Sequence, residues 1–138
     1  MSLKSHEFME SNHPVDKFKR LPLVPIVIYI DEENQERISG LIDSGSERSF
    51  IDVFYAKMVN GIIIDTLRTS GISSSIETKP VIQVKISTEA LDKEWLALNV
   101  GVIDTLHPNH NIILGRDFME CFKEIIFDFE NSKTILNY

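Results

Sequence analysis

Leu41-Ile42-Asp43-Ser44-Gly45-Ser46 is an apolar run that ends in a carboxylate and a turn of small residues. Farther along, Ile112-Ile113-Leu114-Gly115-Arg116-Asp117 repeats the theme: an apolar strand closed by glycine, then a short helix-like stretch. Leu41 and Ile42 read as the end of a strand that anchors the turn in a core. Gly45 has no Cβ, so the backbone can turn sharply there and a second backbone can come close. Hydrolysis of an amide by carboxylates needs two of them within hydrogen-bonding distance. Two like charges that close cannot both ionise, so the pair shares one proton. The chain contains a single Asp-Ser-Gly, so a dyad of this kind requires two copies of it.

Outward from these motifs the chain reads as many short strands separated by turns. Leu23 to Ile30 is β-branched and closed by Asp31-Glu32-Glu33-Asn34, a turn signal that predicts a hairpin into a strand over Ile38 to Ile42. Ser49 to Met58 is compatible with a continuing strand or with a helix around Val53 to Met58. Ile62-Ile63-Ile64 reads as a short buried run. Thr69 to Ser75 is small and uncharged, as in a mobile hairpin tip. Val81 to Ile86 alternates apolar and polar residues, the period of a half-buried strand. Further strands are predicted over Trp95 to Val102, with Trp95 in the core, and over Ile112 to Leu114. A short helix follows over Arg116 to Phe122. Ile125 to Phe129 and Lys133 to Asn137 form a last hairpin. The fold class is mainly β, a small closed sheet structure.

Composition narrows the function. The chain has 138 residues, 43% of them hydrophobic, which is enough for one compact domain, expected over residues 21–138. Residues 1–20 are polar and unpatterned and are expected to form a flexible arm. A net charge of −7 opposes non-specific binding to nucleic acid, which depends on neutralising phosphates. No apolar run reaches the roughly 18 residues needed to cross a bilayer, and the start has no apolar signal-peptide region. The one cysteine, Cys121, is expected to be a packed residue in a reducing compartment. The expectation is therefore an intracellular protein with no nucleic-acid or membrane partner.

Over roughly Leu21 to Phe129, the two motifs and their separation resemble the retropepsin-like aspartic proteases of retroviruses and LTR retrotransposons. The resemblance implies a small closed acid-protease barrel with one short C-terminal helix. It also implies a homodimer whose catalytic pair is Asp43 from each chain. Ser44 would lock the two loops together across the two-fold axis, and Gly45 fills the motif's glycine position. Substrate contacts fall on Ser46, Glu47 and Arg48, on a flap tip at Ser70, Gly71, Ile72 and Ser73, and on Ile113 and Leu114. Gly115 and Arg116 take structural places, with Arg116 expected to pair with Glu47. Arg48 stands where an acidic or polar residue is usual in the family, which favours acidic side chains in the substrate. The hairpin after Phe129 is expected to enlarge the dimer interface.

The implied activity is hydrolysis of peptide bonds in an extended peptide or protein, without cofactor or metal. The setting would be a retroelement polyprotein or a host protein carrying such a domain. The alternative is a catalytically weak or inactive retropepsin-like domain kept for dimerisation or protein binding, because fold does not fix function. Competing sites are weaker. Asp65 and Asp104 are each followed by Thr-Leu rather than a glycine turn. His107 and His110 lack a third ligand for a metal. Ser44, Ser46 and Ser49 lack the strand-elbow-helix setting of a serine nucleophile.

Overall fold

The computed structural model describes residues 3–10, 20–70, 76–91, 94–104 and 111–138. In chain order the elements begin with β1 (Leu3–Glu7), β2 (Met9–Glu10), β3 (Arg20–Leu21), β4 (Leu23–Tyr29), β5 (Gln35–Ile42) and β6 (Phe50–Asp52). Helix α1 (Val53–Met58) comes next, then β7 (Ile63–Ser70), β8 (Ile76–Ser87), a 3-10 turn (Glu89–Leu91) and β9 (Leu96–Ile103). The chain ends with β10 (Ile112–Leu114), helix α2 (Arg116–Met119), β11 (Glu124–Asp128) and β12 (Lys133–Asn137).

The main sheet runs β4-β5-β10-β6-β9-β8, and β8 pairs back onto β4 through Val27↔Ser87 and Ile28↔Ile86. This closes a barrel, with β7 extending outward from β8 as a hairpin arm. Alternation fills it: Ile26, Ile28, Ile51, Ile86, Val100, Ile112 and Leu114 are all fully buried. Each such side chain contributes about 1.5–3 kcal/mol by leaving water. Gly40 lets the walls meet, because a Cβ there would stand 2.7 Å from Leu114 Cδ1 and 2.9 Å from Ile26 Cγ1.

One topological detail positions the site. β10 lies between β5 and β6, parallel to the first and antiparallel to the second. The chain must therefore leave β5, pass over the end of β10 and re-enter the sheet as β6. Residues 43–49 are that bridge.

Several expectations need correction. Ile62, Ile63 and Ile64 are exposed, at 80%, 63% and 51%, because β7 and the residue before it lie at the end of the sheet, outside the closed ring. Trp95 is also at the surface, its ring edge-to-face with Tyr29 at 5.5 Å. Residues 3–7 do not behave as a loose arm. They pair antiparallel with β12, from Leu3↔Asn137 to Glu7↔Lys133, in a second sheet ordered β1-β12-β11. Backbone pairing along a ready sheet edge needs no apolar pattern in the added strand, so residues 3–7 carry no period that marks them as a strand. Residues 11–19 lie outside the described residues.

Val53–Met58 is helical. Asp52 caps it by accepting from the Phe54 N–H at 2.7 Å, and Asn60 ends it with a left-handed φ of 51°. The predicted helix after Gly115 is shorter than expected, ending at Met119 in a turn that buries Phe118 against Phe122.

Candidate active site

Asp43 is the first residue of the bridge. Its N–H donates to the Leu114 carbonyl at 2.9 Å, which fixes it to the end of β10. Its own carbonyl accepts from Ser46 N–H at 3.2 Å, closing a tight turn over Ser44 and Gly45. The Gly45 N–H donates to Asp43 Oδ1 at 3.0 Å. A backbone donor on the carboxylate fixes its orientation. Gly45 is not in the left-handed region of backbone space. Its role is proximity: a Cβ there would stand 3.2 Å from Asp43 Oδ1, tighter than ordinary contact. Ser44 and Gly45 are exposed at the tip, and Asp43 is half-buried beneath them.

The chain that leaves β10 supports the bridge from below. Arg116 N–H donates to Ser46 O at 2.8 Å and Asp117 N–H to Glu47 O at 3.3 Å. Gly115 is obligatory for this approach, since a Cβ would meet the backbone at 2.6 Å from Ser46 O and 2.7 Å from Arg48 C and O. Two side-chain clamps add to it. Arg116 Nη2 lies 3.1 Å from Glu47 Oε1, the ion pair expected from the sequence. The second clamp is Ser49 with Asp117. Ser49 is fully buried, donates through Oγ to Asp117 Oδ1 at 2.7 Å and accepts from Gly115 N–H at 3.0 Å. Its own N–H donates to Asp117 Oδ2 at 3.0 Å.

The two clamps differ in weight. The Glu47 side chain is 88% exposed, and an ion pair in that setting contributes little. A hydrogen bond from a buried hydroxyl to a carboxylate is worth about 1.5–3 kcal/mol. Ser49–Asp117 therefore carries most of the bracing. The sequence reading considered Ser49 only as a nucleophile and missed this role. The available signal was Asp117 itself, the carboxylate that closes the second motif.

A cleft of about 1050 Å³ opens beside the loop. Gly45, Ser46 and Arg48 form its loop side, Phe50 and Leu67 an apolar patch, and Asn99 part of its far wall. The Phe50 ring lies flat on Gly101, where a Cβ would meet it at 2.6 Å. Ser46 Oγ donates to Arg48 O at 2.6 Å and so sets the backbone from which Arg48 reaches the cleft.

Of the other residues singled out, Leu114 is fully buried against Gly40 and supports the loop rather than offering substrate a surface. Its barrel-facing position in β10 dictates this. Ile113, on the opposite face of β10, is half-buried. Ser70 ends β7 with its backbone opposite Ile76. The flap tip assigned to Gly71, Ile72 and Ser73 lies outside the described residues, as do His107 and His110. Among the described residues no group of three or more His, Cys, Asp or Glu could hold a metal ion. Cys121 is half-buried, and burial, then the carboxylates of Asp117 and Glu120, pushes its thiol up and away from reactivity. Among the described residues no helix is long and apolar enough to cross a membrane.

No protein-family model matches this sequence, and no curated protein matches it. Solved structures do match in shape. A retropepsin-like aspartic protease from Rickettsia conorii superposes with a TM-score of 0.61 at 14% identity, over 99% of this chain and 92% of that one. The EIAV protease complexed with an inhibitor gives 0.56 at 17% identity, over 75% and 89%. The retroviral protease-like domain of Ddi1 from Leishmania major gives 0.51 at 15% identity, over 80% and 82%. At these identities the likeness establishes the fold: the chain has the retropepsin-like barrel, mainly β with short helices.

Proposed function

We propose that this chain is an aspartic endopeptidase that works as a homodimer, with Asp43 of each copy forming the catalytic pair. The observation that carries the reading is the Asp43 carboxylate, oriented by the Gly45 N–H at 3.0 Å in a loop braced from beneath by Gly115, Arg116 and Asp117. Glu47 and Asp117, the carboxylates that brace this loop, are engaged with Arg116 and Ser49, which supports drawing the second member of the dyad from another copy.

The chemistry follows from the pair. Two carboxyl groups sharing one proton act as base and acid in the same step. The ionised one takes a proton from water, and the hydroxide formed attacks the peptide carbonyl carbon. The other gives its proton to the carbonyl oxygen. Collapse of the resulting diol returns a proton to the leaving nitrogen and breaks the C–N bond. Ser44, Gly45, Ser46, Glu47, Arg48 and Ile113 are the surroundings we assign to the reacting peptide, with Ser70, Gly71, Ile72 and Ser73 closing over it. The substrate is an extended segment of a protein, bound by main-chain hydrogen bonds and side-chain pockets.

β11 is one edge of the sheet β1-β12-β11; Ile126 on it and Phe129 directly after it are 40% and 75% exposed. Apolar side chains beside an unpaired strand edge invite another chain. We assign this edge to the dimer contact.

The test is cleavage of a mixed peptide library at mildly acidic pH by the wild type and by Asp43→Asn. Cleavage that vanishes in the variant supports the reading. Failure of a folded, dimeric wild type to cleave any peptide contradicts it and favours a dimerisation or protein-binding domain.

A further inference from the structure

The cleft beside the loop is not electrically neutral. Of the charged residues that line it, Glu47 is paired with Arg116, and Asp117 accepts from Ser49 and Phe118. Arg48 has only a long contact from Nη1 to the Asn99 carbonyl, at 3.5 Å. Most of its guanidinium donors are therefore without a protein acceptor among the described residues. Gln83 Nε2 donates to Asn99 Oδ1 at 3.4 Å, which occupies the Asn99 side-chain acceptor and leaves its amide N–H groups as donors. Arg48 and Asn99 thus present a charged fork and an amide donor along one wall, while the two carboxylates among the described lining residues, Glu47 and Asp117, are engaged elsewhere. Phe50 and Leu67 provide an apolar surface next to them.

We propose that Arg48 selects an acidic side chain, glutamate above all, in the extended peptide that occupies this cleft. The inference rests on the peptidase reading above and names the substrate class for that site. A carboxylate is the ligand that a planar guanidinium fork fits best, through two parallel N–H···O bonds. Glutamate suits the two halves of the wall: its methylene stem covers Phe50 and Leu67 while its head reaches Arg48. Glutamine has the same shape but brings its own donors to a wall of donors, and it carries no charge. Lysine is repelled.

The experiment uses one extended library peptide in three series, with Glu, Gln or Lys placed at each position in turn. Cleavage by the full chain and binding by fluorescence anisotropy are read in parallel. At one position on each side of the scissile bond, facing the Arg48 of each copy, wild type is expected to favour Glu over Gln by about tenfold in kcat/KM and in affinity, the scale of one charge-assisted hydrogen bond. Arg48→Gln should bring the two within about twofold, since the charge is gone while the apolar wall remains. Arg48→Glu should favour the Lys peptide instead, a reversal that a merely misfolded variant would not show. Equal handling of Glu and Gln at every position overturns the proposal. So does a Glu preference that survives Arg48→Gln, or an absence of binding to any peptide. Binding that prefers Glu through Arg48 without cleavage would instead overturn the peptidase reading and leave the Arg48 site standing.

Discussion

Replacing Ser49 with alanine tests which contact holds the Asp43 loop. Ser49 Oγ bridges two elements, donating to Asp117 Oδ1 at 2.7 Å and accepting from Gly115 N–H at 3.0 Å. Ser49→Ala removes a charge-assisted hydrogen bond worth about 1.5–3 kcal/mol and leaves a buried N–H without an acceptor, at about 1–3 kcal/mol. Asp117 keeps the N–H groups of Ser49 and Phe118, which holds the loss toward the lower end. The expected destabilisation is about 3 kcal/mol. With an unfolding entropy of about 2 cal/mol/K per residue, that lowers Tm by about 10 °C for a chain of this size. Urea and thermal unfolding should be followed at one fixed protein concentration, because self-association shifts the midpoint. Glu47→Gln is the control: it breaks an exposed ion pair and should change stability by no more than about 0.5 kcal/mol. If Ser49→Ala costs less than about 0.5 kcal/mol, or Glu47→Gln costs more than Ser49→Ala, the assignment of the bracing to Ser49–Asp117 is refuted.

Gly115→Ala places a methyl 2.6–2.7 Å from the backbone of Ser46 and Arg48, so the loop must move. Peptide cleavage should fall at least about a hundredfold, from loss of loop geometry, and wild-type activity in this variant would contradict the packing described. Ile126→Lys charges the open β11 edge. Sedimentation should show a monomer that is folded by circular dichroism but inactive, and an active dimer would move the interface elsewhere. His6 of β1 is held below its ordinary value of 6.5, by burial first, with Glu89 opposing and Lys4 assisting. Folding thus favours its neutral ring, and its contribution is complete above that ordinary value and fades as pH falls through the lowered one. Amide exchange in β1 and β12, corrected for intrinsic rate, should accelerate from about pH 7 to about pH 5, and His6→Gln should flatten the change. Unchanged protection in the wild type would contradict it.

The Asp43 turn and the strand that passes beneath it were legible because both are local in sequence. Asp43-Ser44-Gly45 follows an apolar run, and Ile112 to Gly115 is another with its glycine at the end. The alternation from Val81 to Ile86 likewise marked β8, buried at Val81, Ile82, Val84 and Ile86. What escaped depends on contacts between distant segments. Ser49 and Asp117 are 68 residues apart, and neither belongs to a pattern until β10 is inserted between β5 and β6. Ile62-Ile63-Ile64 read as core because apolar residues usually are. Only the sheet order reveals that they lie outside the barrel. Residues 3–7 carry no apolar period, and their place is set by the free edge of β12 rather than by their own side chains. The Glu47–Arg116 pair was readable only through resemblance, since nothing in their separation brings the two together.

The central claim is that one active site takes Asp43 from two chains. It is tested most directly by mixing wild type with Asp43→Asn, letting subunits exchange, and measuring cleavage at constant wild-type concentration. If each site needs an aspartate from both copies, an equal mixture retains about half of the wild-type activity, and a large excess of the variant abolishes it, as random pairing in a two-fold dimer requires. Activity that stays constant however much Asp43→Asn is added would mean that each chain works alone, and would contradict the account.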